Sequence, residues 1–104
     1  MPTELQWFSV RLALVGSPKD EIHRVVADLQ EELKARPHLR NPRVYWDGEK
    51  DRTLVDVEDQ GVEPDRVMKS LLEEVFEATC AVLEHYEEFR VEPIGVYPVG
   101  DSAP

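Results

Sequence analysis

A single cysteine, Cys80, stands in the 104 residues. That excludes an intrachain disulfide framework and a zinc cage built on thiolates. Long apolar runs are missing as well. The longest one near the start, Val10 to Val15, is broken by Arg11, so no segment suffices to cross a bilayer. The first residues carry neither the basic stretch nor the apolar core of a signal peptide, and a cytoplasmic location is expected. Bases are scarce beside acids: 12 Lys and Arg against 22 Asp and Glu, a net charge of −10. The shortfall is local. Residues 1–52 balance 9 acids with 9 bases, whereas residues 53–104 hold 13 acids and 3 bases. Nucleic acid is not an expected partner, because binding it requires clustered cations against phosphates. The acids either keep one face solvated or meet a basic protein, a cation or a second copy.

What is present reads as one α+β domain over residues 1–99, with a disordered tail over 100–104 that has nothing to bury. Residues 6–15 alternate with a period of two, which predicts a strand. Phe8, Val10, Leu12 and Leu14 share one face; Trp7, Ser9, Arg11 and Ala13 share the other. Gly16-Ser17-Pro18 ends it and opens a helix, with Ser17 as cap and Pro18 at the first helical position. Ile22, Val25, Val26, Leu29 and Leu33 then fall on one helical stripe, and Pro37 stops it. Arg43 to Trp46 is a short strand rich in β-formers. Asp47-Gly48 looks like a two-residue hairpin turn, but that turn would strand Leu54 and Val55 beyond the hairpin. A longer loop over 47–51 sets the apolar runs opposite each other, and the return strand is Arg52 to Glu58. Gly61 to Pro64 opens a second helix, expected from Pro64 to about His85, with Met68, Leu71, Leu72, Val75, Phe76, Thr79, Val82 and Leu83 as its stripe. Phe89 to Tyr97 is a strand broken by Pro93, where one extra residue forms a bulge. Pro93 and Pro98 place it at a sheet edge.

The element order is therefore βαββαβ. Right-handed crossovers put both helices on one side of a four-stranded antiparallel sheet, with the first and third strands central. This order resembles the ferredoxin-like fold, which hosts many unrelated functions. One sheet face is then left without an element to cover it. Trp7, Ala13, Tyr45 and Leu54 would make an apolar patch there around an Arg11–Asp56 pair. Such patches often mark a partner surface, and Trp7, Arg11, Tyr45, Leu54 and Asp56 are the candidate interface residues.

Chemistry-bearing motifs are few. The third strand lacks the Gly-aromatic pattern of an RNA-recognition motif and carries acids where phosphate would pass. Val15 to Lys19 holds one glycine and a proline, short of an acylphosphatase loop; Gly16 and Ser17 remain a candidate anion or ligand site at a helix start. His23, His38, His85 and Cys80 match no zinc spacing, so neither a metal nor a cofactor is expected, and Cys80 reads as a buried, inert thiol. No base accompanies Ser9, Ser17, Ser70 or Ser102 in the chain. Arg36, His38, Arg40 and Arg43 are complementary to the acids of the second helix, within one subunit or between two.

Three functions are open at this point. The first is a non-enzymatic interaction module, a homo-oligomer with a dimer favoured, joined through the open sheet face or an edge strand. The second is a small-molecule sensor: the element order is similar to that of ACT-type regulatory domains, which implies effector binding between subunits. Lys19, Asp20 and Glu21 stand where those domains usually place an early glycine. The third, an enzyme, would require a concave pocket with His23 or His85 as base.

Overall fold

A computed structural model of the chain describes residues 4–16, 19–83 and 88–99. Strand β1 is Gln6–Val15, as its alternation predicts. A 3₁₀ turn, Lys19–Glu21, leads into helix α1, Ile22–Lys34; the expected cap residues Ser17 and Pro18 lie outside the described residues. Strands β2 and β3 are Arg40–Asp47 and Arg52–Gly61, both longer than their apolar runs. Helix α2 is Pro64–Val82 and strand β4 is Arg90–Pro98. The sheet order is β2-β3-β1-β4, all antiparallel. It is the α+β, ferredoxin-like sandwich that βαββαβ order dictates, with β1 and β3 in the middle. No helix among the described residues is long and apolar enough to cross a membrane.

Register follows the hydrophobic pattern. Val10 faces Val57, Leu12 faces Val55 and Val44 faces Val55 from the other side, which puts the whole β-branched set under the helices. The loop between β2 and β3 is the longer one: Asp47 pairs with Arg52, Asp51 takes φ 54°, and the Asp47 carboxylate accepts the Glu49 amide at 3.2 Å. In β4 the register shifts between Arg11 and Leu12, opposite Ile94, so the bulge sits beside Pro93 as expected.

Against the inner face pack Val25, Leu29 and Leu33 of α1 and Val67, Leu71, Val75, Ala78 and Val82 of α2. The α2 stripe is therefore rotated from its expected position. Val67 and Ala78 are in the core, whereas Phe76 is 45% exposed and Cys80 is exposed. The buried-thiol expectation is overturned for the same reason: a line through 67, 71, 75, 78 and 82 carries residue 80 to the outer side. His85, expected near the helix end, and the acids Glu84 and Glu87 lie outside the described residues, as does the tail over 100–104.

Both sheet edges carry features that disfavour a further strand. At β2, Asn41 adopts φ 52° and the register slips between Arg40 and Arg43. The Gln30 side chain of α1 fills that irregularity: its amide donates to the Pro42 carbonyl at 2.6 Å, and its oxygen accepts the Val44 amide at 2.7 Å. At β4, two prolines remove donors.

Candidate functional site

The open face of the sheet is built by the residues that alternate with the core set. Arg11 of β1 is opposite Asp56 of β3 and binds it side-on, Nε donating to Oδ1 at 2.7 Å and Nη2 to Oδ2 at 3.0 Å. Tyr45 of β2 donates its hydroxyl to the same Oδ2 at 3.0 Å. This neighbourhood shifts both partners. The hydrogen bond and charge of Asp56 hold the Arg11 guanidinium protonated far above its ordinary value. Desolvation, then the bond to Asp56, push the Tyr45 phenol upward.

Trp7, Arg11, Tyr45 and Asp56 are thus brought onto one surface. Leu54 is on the same face but 6% exposed, and Ala13 is fully buried. They stand opposite each other and beside Tyr45, forming a floor rather than the exposed apolar patch that was expected. The exposed apolar groups of the face come instead from β4, with Tyr97 62% and Ile94 40% exposed. Tyr97 faces Ser9, and its hydroxyl lies over Gly95, where a Cβ would come within 2.6 Å of it. Glycine there lets the ring fold back along its own strand. Between Ser9, Arg11, Asp56, Ile94 and Tyr97 opens a hollow of about 280 Å³.

The arginines are distributed with equal economy. Arg40 places its guanidinium 3.8 Å from the centre of the Trp7 ring while Nε donates to Glu58 at 2.6 Å. Arg43 lies 5.0 Å over the Tyr45 ring. Arg52 pairs with Asp47 at 3.3 Å, and Arg90 pairs with Glu92. Four arginines of the face are thus paired with carboxylates of the same face, and Arg43 rests on the Tyr45 ring. Arg36 and His38 are on the other side, both on Glu74, at 3.1 and 2.8 Å. Of the basic stretch, Arg36 and His38 thus meet an α2 acid within one chain, whereas Arg40 and Arg43 turn to the open face instead.

The Trp7–Arg40 and Tyr45–Arg43 stacks and the role of Tyr97 were not foreseen. Tyr97 had a signal: a one-residue bulge at Pro93 turns position 97 to the Trp7 side. The other candidates gain little. Gly16 takes φ +100° and a Cβ on it would sit 2.6 Å from the Glu88 carbonyl oxygen, so it serves a tight turn beside an acceptor, a poor setting for an anion. Ser17 lies outside the described residues. His23 is exposed on α1. Among the described residues, no group of three His, Cys, Asp or Glu could hold a metal ion. No family model, no curated protein and no solved structure matches the chain.

Proposed function

We propose that the protein is a small interaction module that pairs with a second copy of itself, open sheet face against open sheet face. One observation carries this. Among the described residues the sheet face opposite the helices has no covering element, and on it Arg11, Arg40, Arg52 and Arg90 are each paired with a carboxylate of the same face. Two chains of −10 repel at long range, but a face whose charges are largely paired can approach its copy within a Debye length of roughly 8 Å with less of that penalty. Arg, Tyr and Trp are also the residue types that dominate binding energy in interfaces.

Size supports the same reading. Four strands about 4.8 Å apart with a rise of about 3.3 Å per residue make a face of roughly 19 by 30 Å. Side-chain relief brings that near the ~800 Å² per partner of a standard interface. The blunted β2 and β4 edges leave the face, rather than strand addition, as the route to a dimer. Sedimentation velocity tests it: Tyr97→Asp and Trp7→Asp shift the wild-type dimer to monomer, and a wild type that sediments as a 12.0 kDa monomer at high micromolar concentration ends the proposal.

The hollow favours a second reading, a small effector held between two copies, the relationship seen in ACT-type domains. Arg11 retains donors not used by Asp56, and Ser9 lines the same space. A thermal shift with amino acids, present in the wild type and absent in Arg11→Ala, supports that reading; no shift with any of them removes it.

A further inference from the structure

A second surface, separate from the open face, lies between α2 and β4. Leu72, Phe76, Phe89 and Val91 line a groove of about 530 Å³, within the ~300–1,000 Å³ span of ligand sites. Its shelf is an aromatic pair. Phe76 stacks on Phe89 with ring centres 4.8 Å apart and planes at 28°, yet remains 45% exposed. A phenylalanine on the outer flank of a helix, backed by a second ring rather than by core, offers apolar area to something outside.

The rim decides what. Glu73 and Glu77 stand on the α2 side. Among the described residues neither has an ion-pair partner, and Arg90, on the opposite wall, is held by Glu92. We infer that this groove receives a basic amphipathic segment of another protein, an apolar anchor on the Phe76–Phe89 shelf with Lys or Arg toward Glu73 and Glu77. A helix is the form that fits, because Pro93 and Pro98 prevent a strand from continuing along β4. A second copy meets the need poorly, since it carries a net charge of −10 and its Arg36, Arg40, Arg11 and Arg52 are engaged on Glu74, Glu58, Asp56 and Asp47 of their own chain.

The probe is a synthetic peptide of about 14 residues, lysine and leucine placed so that leucines recur at i, i+3, i+4 and i+7, beside a control with serine for every leucine. Titration calorimetry gives micromolar binding of the Lys/Leu peptide to the wild type. Phe76→Ser and the surface pair Glu73→Lys with Glu77→Lys each weaken it about tenfold or more, at unchanged circular dichroism. Nuclear magnetic resonance shifts fall on Phe76, Phe89 and Val91 and spare Ser9 and Tyr97. No binding, equal binding of the Lys/Ser control, or binding indifferent to both variants overturns the inference, since attraction would then be to bulk negative charge.

Discussion

Arg11 and Asp56 stand directly opposite each other on β1 and β3, joined by two hydrogen bonds of 2.7 and 3.0 Å. The pair is half open to water, so by itself it adds little to folding. Its effect is to fix a third group, the Tyr45 hydroxyl, which donates to Asp56. Removing the carboxylate charge while keeping an acceptor, as in Asp56→Asn, lowers the Tyr45 pKa toward its ordinary 10.0. An ultraviolet titration of the phenols reads this directly. The sign for stability follows: a phenol raised in the fold favours the folded state below its ordinary pKa, and that advantage is lost as pH climbs through the folded value. An unmoved titration curve contradicts the hydrogen bond.

Gln30 joins α1 to the edge strand by two bonds, to the Pro42 carbonyl and from the Val44 amide. Gln30→Ala leaves both backbone groups without partners at a part-buried position, and costs about 1–3 kcal/mol in urea unfolding. Hydrogen exchange at the Val44 amide rises at the same time. A neutral result shows that water replaces the side chain there.

Thr53 is fully buried and its hydroxyl has no hydrogen-bond partner among the described residues, while the equally buried Thr79 donates to the Val75 carbonyl at 2.7 Å. The two threonines therefore respond oppositely to valine. Thr53→Val stabilises by about 1 kcal/mol, and Thr79→Val, which removes a made bond, gains less or loses. Equal effects of the two contradict the difference in partners.

Asp59 has its carboxyl pushed above the usual value of 3.8, first by burial and also by the nearby charge of Glu74, against the pull of the Gln60 amide and His38. A carboxyl raised in the fold binds its proton more tightly there than in the unfolded chain. The fold is thus penalised above the folded pKa and relieved on acidification. Asp59→Asn raises the melting temperature at pH 7, and the gain disappears below pH of about 3.8, where both states of the wild type are protonated. A gain that persists in acid points to packing instead.

Much of this architecture is readable from local pattern. The period-two alternation from Phe8 to Leu14 sets the core face, Pro93 marks the bulge, and the mismatch of Leu54 and Val55 with a tight Asp47-Gly48 turn selects the longer loop. What escapes is decided by distant partners or small rotations. A turn of α2 by a fraction of its circumference moves Phe76 and Cys80 outward and Val67 and Ala78 inward, and helical spacing alone tolerates that range. The Asn41 bulge is stabilised by Gln30 from another element, which no neighbour in sequence announces. The same holds for Arg40, whose position over Trp7 depends on the pairing of three strands.

The direct test of pairing through the open sheet face is a nuclear magnetic resonance dilution series on the uniformly labelled chain, from about 1 mM to about 10 μM. The account predicts concentration-dependent shifts at Ser9, Arg11, Asp56, Gly95 and Tyr97, with Phe76 and the exposed side of α2 unchanged. Spectra that do not change on dilution, or changes confined to the helical side, contradict it.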